Sequence, residues 1–432
     1  LAPRRIALDI LAGVLDAGRP LDDQLDPASG HPALKELSRR DRALVRALVA
    51  TTLRRLGQID RALDRHLQRR PSGRTGRLFH IVRLGAAQIL FMDTAAHAAV
   101  DLSVRLAALD RRARHLTGLV NGLLRALSRV EPAAPEEEDA ARLNTPAWMW
   151  RRWSTAYGEE AARRIGAAHL VEPALDLSTK AEPEVWAARL HAMMLPTGSV
   201  RLVPEGPVES LEGFEEGAWW VQDAAAALPA RLLMPVGGAR VADLCAAPGG
   251  KTAQLATAGA SVVAVDRSAT RLKRVEANMQ RLGLAAETVA ADVLAWDTAE
   301  RFDAVLLDAP CMATGTVRRH PDVLRLKREA DIATLAELQA RMLDKAVSLL
   351  KPGGRLVYCV CSLEPEEGEA QAEALLARST LRRVPIRPAE IGGLDAAITP
   401  AGDLRTLPFH LAGPTPRLSG MDGFFAARFE AP

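Results

Sequence analysis

The chain has 432 residues, of which 48% are hydrophobic and 25% are charged, and its net charge is +3. This length suggests two or three domains, each large enough to bury its own core. No uncharged apolar run approaches the roughly 20 residues of a membrane-spanning helix, so a membrane protein is not expected. Asp9 and Asp16 interrupt the sequence that follows Arg4 and Arg5, which is not typical of a signal peptide.

Charge is distributed unevenly along the chain. Residues 1–130 have 23 Lys and Arg against 12 Asp and Glu, a net charge of +11, whereas the remaining residues have 33 against 41, a net charge of −8. The basic first part predicts a polyanionic partner. Arginines that only decorate solvated helices would account for the charge equally well.

The first part of the chain has helical periodicity. The pattern extends over residues 4–128 and predicts a compact all-α domain at residues 1–130. The stretch Glu131–Asp139 is rich in proline and acid and has no periodicity. It therefore predicts a solvated linker over residues 131–145.

Residues 146–234 combine helical patterns with short strand patterns between prolines, which predicts a small α/β connecting subdomain. Its first helical stretch contains Trp148, Trp150 and Trp153. Such side chains could stack nucleic-acid bases, but core packing is the favoured interpretation.

From residue 235 to residue 432 strand and helix patterns alternate, which predicts an α/β domain with a mostly parallel, doubly wound, Rossmann-like sheet. In such a sheet ligands bind beyond the carboxyl ends of the strands. The residues predicted at those ends are polar: Asp243, Asp266, Asp292, Asp308 and the pair Cys361-Ser362.

The first of these strands continues as RVADLCAAPGGKT, a strand, a turn of small residues and a helix. The turn is not a Walker A loop, because Cys245 occupies the place of its first glycine, and the dinucleotide pattern G-x-G-x-x-G is absent as well. A nucleoside cofactor fits better, with its ribose hydroxyls on Asp266. The alternative is a structural turn without a ligand.

The four cysteines are Cys245, Cys311, Cys359 and Cys361, and their spacing is not typical of a zinc site or a disulfide framework. No metal is therefore expected, and a reducing cytoplasm is the predicted compartment. Cys359 and Cys361 share one face of a strand, with Cys361 nearer the rim. Cys361 is predicted to be the reactive thiol and Cys359 a small core residue.

Two known families are similar to this sequence. The segments RRIALDILAGVL, LRRLGQIDRAL, VRLGAAQILF, HAAVDLSV and GLVNGLL resemble the NusB family of RNA-binding helical domains. The segments CAAPGGKT, DAPCMATG, YCVCS, TVRRHPDV and MDGFFAARF resemble the Sun/RsmB family of bacterial 16S ribosomal RNA (cytosine carbon-5) methyltransferases. Together the two resemblances cover almost the whole chain.

The second resemblance implies S-adenosylmethionine as cofactor and 16S ribosomal RNA, or a partly assembled small subunit, as partner. It implies that Cys361 attacks carbon-6 of cytosine and that Cys311 assists release of the methylated RNA. Val360 and Met312 depart from the Thr and Ser that are usual at their positions in the family. The implied cofactor-binding residues are Cys245, Ala246, Ala247, Pro248, Gly249, Gly250, Lys251, Asp266, Asp292 and Asp308.

Chemistry suggests further roles. The Asp308 carboxylate is predicted to bind the ring N3 or the amine of cytosine. Arg318, Arg319 and His320 are predicted to contact phosphates, or else form a solvated basic loop. One rival function is a DNA cytosine methyltransferase, in which the thiol of Cys311 would be the nucleophile. Another is a non-catalytic RNA-binding or antitermination factor with a vestigial methyltransferase fold.

Overall fold

A computed structural model describes residues 1–26, 29–67, 71, 75–129 and 137–432, with the backbone alone at 137–139. Over these residues the α-helices are α1 (Ala2–Leu15), α2 (Leu21–Leu25), α3 (Arg39–Arg54), α4 (Leu56–Asp64), α5 (Leu78–Phe91), α6 (Ala96–Leu109), α7 (Thr117–Arg129), α8 (Glu137–Asn144), α9 (Ala147–Tyr157), α10 (Glu159–His169), α11 (Pro183–Arg189), α12 (Leu228–Arg231), α13 (Gly250–Thr257), α14 (Ala269–Leu282), α15 (Val323–Leu326), α16 (Asp331–Ser348) and α17 (Glu369–Arg378). The strands are β1 (Leu175–Thr179), β2 (Met193–Met194), β3 (Val200–Leu202), β4 (Trp219–Val221), β5 (Arg240–Leu244), β6 (Ser261–Asp266), β7 (Glu287–Ala290), β8 (Phe302–Asp308), β9 (Leu350–Val360), β10 (Arg382–Arg383), β11 (Leu404–Thr406) and β12 (Phe424–Glu430).

The chain forms two compact units. The first, called here the helical unit, comprises Leu1–Leu170 and the later segment Arg319–Lys327. The second, called here the α/β unit, comprises the rest of the described chain. No helix in the described residues has the length and hydropathy needed to cross a membrane.

The helical unit has the predicted all-α character, with α1 and α3 to α7 around one apolar core. Ser38 begins α3 as its N-cap, since its hydroxyl accepts a hydrogen bond from the backbone N–H of Asp41. Trp150 and Trp153 are buried, which confirms core packing for these two side chains.

The predicted linker is partly helical. Its first residues, up to residue 136, lie outside the described residues, but the remainder forms α8. The Asn144 side-chain oxygen at the end of α8 accepts hydrogen bonds from the backbone N–H groups of Gly57 and Gln58, at 3.0 and 3.2 Å. The prediction of a solvated linker is therefore wrong for this part, because α8 packs against α4.

The segment 319–327 joins the helical unit although the sequence around it belongs to the α/β unit. The Asp322 carboxylate accepts a hydrogen bond from the Leu21 N–H at 2.9 Å, and His320 lies 3.0 Å from the Asp22 carboxylate. Arg325 donates to the carbonyl of Asn144 at 3.1 Å. These contacts fix the segment on α2 and on the end of α8.

The α/β unit begins with a small antiparallel sheet in the order β2-β3-β1-β4. Its strands hold a buried ion pair: the Arg201 guanidinium donates to both oxygens of Asp176, at 2.6 and 2.7 Å. Because each charge is fully matched by a two-point contact, the pair can remain away from water.

Eight strands of the described chain form the main sheet, in the order β10-β12-β9-β8-β5-β6-β7, with β11 paired to β12. The strands β5 to β9 are parallel, and β10, β11 and β12 are antiparallel additions at one side. The mostly parallel sheet is thus confirmed. Alternate residues of β5 enter separate cores on the two faces, for example Val241 on one face and Ala242 on the other, as a doubly wound sheet requires.

The strand order locates the ligand crevice. The chain runs outward from β5 through β6 to β7 on one side, and returns through β8 to β9 on the other side. The strand order therefore reverses between β5 and β8, and ligands of open α/β sheets bind at the carboxyl ends of strands beside such a point.

Candidate active site

The turn between β5 and α13 is built from small residues in unusual backbone conformations. Cys245 has φ +65° and Gly249 has φ +102°. A Cβ added at Gly249 would lie 3.1 Å from a Val275 methyl carbon, so both the conformation and the space favour glycine there. The turn leads into the first residues of α13, whose N–H groups have no intrahelical acceptors.

Asp266, at the end of β6, supports this turn from below. Its carboxylate is buried and accepts hydrogen bonds from the N–H groups of Ala247 and Ser268, at 3.2 and 2.9 Å. Arg271 lies 3.4 Å from the same carboxylate and donates to the Ala247 carbonyl at 2.6 Å. Asp266 therefore lies at the end of its strand, as predicted, and its hydrogen bonds stabilise the conformation of the turn.

Asp292 lies two residues beyond β7 and is exposed. One of its carboxylate oxygens accepts a hydrogen bond from the Leu294 N–H at 2.9 Å. This bond closes a short turn and leaves the carboxylate at the surface.

Asp243 at the end of β5 is fully buried. One carboxylate oxygen accepts a 2.6 Å hydrogen bond from the Thr252 hydroxyl, and the other has no hydrogen-bond partner. Burial raises the pKa of Asp243 to about 7, although the bond from Thr252 opposes the shift. The last carboxylate of β5 is therefore neutral at slightly acidic pH.

Lys251 and Asp308 form an ion pair across the rim, with Nζ 2.7 Å from a carboxylate oxygen. Burial is the largest single influence and would lower the pKa of Lys251, but the charge and the hydrogen bond of Asp308, together with the nearby Asp243, outweigh it and raise this pKa. The second Asp308 oxygen lies 3.6 Å from the Cys359 sulfur. Cys359 itself is buried in the core, as predicted.

The structure brings the two rim thiols together. The Sγ atoms of Cys311 and Cys361 are 3.5 Å apart, and both residues are partly exposed. The loop that holds Cys311 is bound to Cys361, the residue that follows β9, since the Gly315 N–H donates to the Cys361 carbonyl at 3.0 Å. Gly315 also pairs with Gly423, so closely that an added Cβ would lie 1.9 Å from the Gly423 oxygen.

The pKa of the Cys311 thiol is raised well above its usual value. The hydrogen bond with Cys361 is the largest cause, and burial and nearby negative charge add to it. Burial also raises the pKa of Cys245, to which the carboxylates around the turn contribute. Neither thiol is a ready thiolate in this environment.

Glu367 and Gln339, two buried residues behind Cys311, were not predicted from the sequence. Glu367 accepts a hydrogen bond from the Met312 N–H, and the Gln339 side chain donates to both the Pro310 carbonyl and Glu367. The sequence alone gives little indication of either residue. Glu367 belongs to a run of acidic residues that would ordinarily be exposed to solvent, and Gln339 lies in an ordinary amphipathic helix.

The predicted phosphate contact is wrong for Arg318. Its side chain is buried and donates to the Ser419 carbonyl at 2.7 Å. Burial lowers the pKa of Arg318, while the carboxylates of Asp223 and Asp422 favour its charged form. Arg319 is exposed, and His320 contacts Asp22.

Comparison with known proteins identifies the family of this chain. Residues 230–430 match the family model described as 16S rRNA methyltransferase RsmB/F, and residues 1–129 match the NusB family. A protein named ribosomal RNA small subunit methyltransferase B, from Klebsiella pneumoniae strain 342, is 37% identical over 393 residues, which cover 87% of this chain and 90% of that protein. The chain belongs to the ribosomal RNA small subunit methyltransferase B family.

Other relatives of the family agree. The protein of that name from Vibrio cholerae is also 37% identical, over 87% of this chain and 89% of its own length. The crystal structure of a methyltransferase homolog protein from Pyrococcus horikoshii matches with a TM-score of 0.56 and 26% identity. It covers 69% of this chain and all of that chain, and has the same α/β fold.

This family of methyltransferases depends on S-adenosylmethionine, and the rim fits such a ligand. The small-residue turn and the start of α13 offer backbone N–H groups beside the crevice. The second carboxylate oxygen of Asp243, in β5 just before the turn, is buried and has no hydrogen-bond partner in the protein. Asp292 presents an exposed carboxylate at the same edge of the sheet.

Proposed function

We propose that this protein methylates carbon-5 of a cytosine in 16S ribosomal RNA through a covalent bond between Cys361 and the base. The observation that carries the proposal is the pair of thiols 3.5 Å apart at the carboxyl ends of β8 and β9. A cytosine methyltransferase needs one thiol to activate the ring and a second group to complete the reaction. Two unlinked thiols beside the crevice supply both.

The cofactor site is proposed at the neighbouring turn. Residues 245–251 would hold S-adenosylmethionine together with Asp266, Asp292 and Asp308. When bound, the cofactor supplies an electrophilic methyl group. Asp266 was predicted to bind the ribose hydroxyls, but its buried carboxylate already accepts hydrogen bonds from Ala247 and Ser268. The exposed carboxylate of Asp292 is therefore proposed to face the ribose, and Asp266 to keep the turn in the required shape.

Cys361 is the proposed nucleophile. Carbon-5 of cytosine is a poor nucleophile, but addition of a thiolate at carbon-6 turns it into an enamine-like carbon that can attack a methyl group. The raised pKa of Cys311 keeps that thiol protonated, which suits it to donate a proton rather than to attack the base. Cys311 can donate its S–H to the attacking sulfur across the 3.5 Å separation.

Asp308 is proposed to select and activate the base. Its carboxylate lies at the end of β8, beside the two thiols, and is partly exposed while it pairs with Lys251. A contact with the exocyclic amine would favour cytosine over uracil, and a contact at N3 would draw electrons from carbon-6. The target base must be unpaired or flipped out of a helix to reach this site.

After methyl transfer the carbon-5 proton must leave and the bond between Cys361 and the base must break. Cys311 is the proposed base for this half of the reaction. Cys311 first releases its own S–H proton to solvent, since this thiol is partly exposed. The thiolate then takes the carbon-5 proton, the bond between carbon-6 and sulfur breaks, and the electron pair of that bond returns to Cys361.

The basic N-terminal domain, residues 1–130, is proposed to widen the contact with ribosomal RNA. It has the excess of arginine noted above, and its NusB match covers the same residues. Exposed residues such as Arg39, Arg40, Arg111 and Arg112 are available for phosphate contacts. A ribosomal RNA substrate and free thiols at the active site suit a reducing cytoplasm.

Trapping with RNA that contains 5-fluorocytosine tests the assignment, because this base blocks the final proton removal. Cys361→Ala should abolish the covalent adduct. Cys311→Ala should let an adduct accumulate even on unmodified RNA. The same substitution at buried Cys359 is the matched control and should leave both results unchanged.

The outcomes separate the rival functions. If Cys311→Ala abolishes the adduct and Cys361→Ala preserves it, Cys311 is the nucleophile, as expected for a DNA cytosine methyltransferase, and the proposal is wrong. If the wild-type protein binds S-adenosylmethionine tightly but methylates no ribosomal RNA, the protein is a non-catalytic RNA-binding factor.

A further inference from the structure

Two buried side chains hold the backbone on both sides of Cys311. Before it, the Pro310 carbonyl accepts a 2.9 Å hydrogen bond from the Gln339 amide. After it, the Met312 N–H lies 3.1 Å from each carboxylate oxygen of Glu367. Gln339 and Glu367 are joined to each other at 2.9 Å, so the two form one clamp around the thiol loop.

The orientation of the Gln339 amide follows from its partners. The Pro310 carbonyl can only accept a hydrogen bond, so the nitrogen of Gln339 must face it. The second hydrogen of the same nitrogen then points to Glu367. The groups around the Glu367 carboxylate therefore include an amide N–H from the side chain and one from the backbone of Met312.

These donors favour the ionised form of Glu367. Its backbone is fixed as well, because the buried Tyr358 hydroxyl donates to the Glu367 carbonyl. The pKa of Glu367 is raised, chiefly by burial, and the hydrogen bonds from Ser362, Gln339 and Met312 reduce that rise. A carboxylate surrounded by donors retains its negative charge more easily than an isolated buried acid.

We propose that Glu367, oriented by Gln339, is a positioning residue that keeps Cys311 a neutral thiol beside Cys361 and thereby gives the two thiols different roles. The inference rests on the proposed function. The Glu367 carboxylate contacts the backbone N–H of Met312, the residue after Cys311, and a negative charge held there opposes a second negative charge on the Cys311 sulfur. The charge of Glu367 is one of the causes that raise the pKa of Cys311.

The same charge serves the second half of the reaction. A thiolate that is harder to form is a stronger base, so the charge of Glu367 also increases the ability of Cys311 to remove the carbon-5 proton. Without it, Cys311 would ionise more readily and act as a weaker base. No atom or electron is transferred to Glu367 in either half.

The test is the pH dependence of Cys311 alkylation by iodoacetamide in the full chain, without RNA or cofactor. Cys361→Ala is the common background, and mass spectrometry of the Cys311 peptide separates this thiol from Cys245 and Cys359. Adding Glu367→Gln should lower the midpoint on the order of one pH unit. The matched control is Glu366→Gln, an exposed neighbour, which should leave the midpoint unchanged.

A folded Glu367→Gln variant with an unchanged midpoint would overturn the inference. Gln339→Met provides a second test, and keeps the inference falsifiable if Glu367→Gln does not fold, because it removes a donor that favours the ionised, correctly placed carboxylate. The alkylation midpoint of Cys311 should fall, by less than in Glu367→Gln, and an unchanged or higher midpoint would mean that Gln339 does not hold the charge of Glu367 beside the thiol.

The adduct experiment distinguishes this inference from the proposed function. With Cys361 intact, Glu367→Gln should accumulate the RNA adduct as Cys311→Ala does, whereas Glu366→Gln should not. If Cys311→Ala itself fails to accumulate adduct, the role of Cys311 in the proposed function is wrong. The alkylation midpoint still decides whether Glu367 controls the ionisation of this thiol.

Discussion

Replacing Asp243 by asparagine should make the stability of the α/β unit less sensitive to pH. Asp243 is fully buried, and its pKa of about 7 in the folded protein lies well above the ordinary value of 3.8. Between these two values the unfolded chain releases the proton while the folded chain retains it. Rising pH therefore destabilises the wild-type fold through this group, by about 1.4 kcal/mol per pH unit.

The size of the effect follows from the two pKa values. Below pH 3.8 the penalty is absent, and above pH 7 it levels off at about 4 kcal/mol. Asparagine cannot ionise. The difference in free energy of unfolding between Asp243→Asn and wild type therefore changes with pH only because the stability of the wild type changes. The stability of Asp243→Asn relative to wild type should accordingly rise by about 2 kcal/mol between about pH 5.5 and pH 8.

Urea-dependent hydrogen exchange of the β5 and β8 peptides at the two pH values measures this difference within the α/β unit alone. Asp303→Asn is the matched control at the start of β8. Hydrogen bonds from Lys351 and from the Arg240 N–H lower the pKa of Asp303, so this group titrates below the pH range of the experiment. The stability difference between Asp303→Asn and wild type should therefore be the same at both pH values. The reasoning is refuted if the stability of Asp243→Asn relative to wild type is also the same at both pH values, or falls as the pH rises.

Three further perturbations have defined outcomes. In Gly315→Ala the added Cβ would lie 1.9 Å from the carbonyl oxygen of Gly423, just before β12, so the loop that holds Cys311 must move. The rate of 5-fluorocytosine trapping should then fall at least about tenfold, equivalent to about 1.4 kcal/mol. An unchanged rate would contradict the close packing. Lys251→Met should destabilise the α/β unit by about 1 to 3 kcal/mol in urea unfolding, because it leaves the partly exposed Asp308 carboxylate unpaired, and adding Asp308→Asn should recover part of that loss. Additive losses would argue against the pair. Replacing Arg39 and Arg40 by glutamine should make the slope of log RNA affinity against log salt shallower by roughly 0.7 to 0.9 per lost phosphate contact, and an equal slope would mean that these side chains are only solvated.

Local sequence signals were sufficient for the elements that carry the chemistry. Alternating strand and helix patterns predicted the parallel strands of the main sheet, and a turn of small residues marked the loop between β5 and α13, the proposed cofactor site. The position of Cys361 near the end of its strand separated it from the core residue Cys359. These predictions depend on periodicity and on which residues follow a strand, both of which are properties of short segments.

Predictions that depend on distant partners did less well. Arg318 resembles a phosphate contact in sequence, but it is buried against Ser419, about 100 positions away. The stretch at 137–144 is acidic and looks like a linker, yet α8 packs on Gly57 and Gln58. In both cases a backbone group from another part of the chain satisfies the polar side chain and makes burial favourable.

The amino-acid sequence by itself determined which strands end in carboxylates and thiols, because a strand, its turn and the helix that follows are specified by neighbouring residues. Only the tertiary structure decided that Cys311 and Cys361 are 3.5 Å apart, that Lys251 neutralises Asp308, and that Glu367 lies behind the thiol loop. Those relations arise when β8 and β9 pair and α16 packs beside them, and electrostatic effects on ionisation act through distance in space rather than position along the chain.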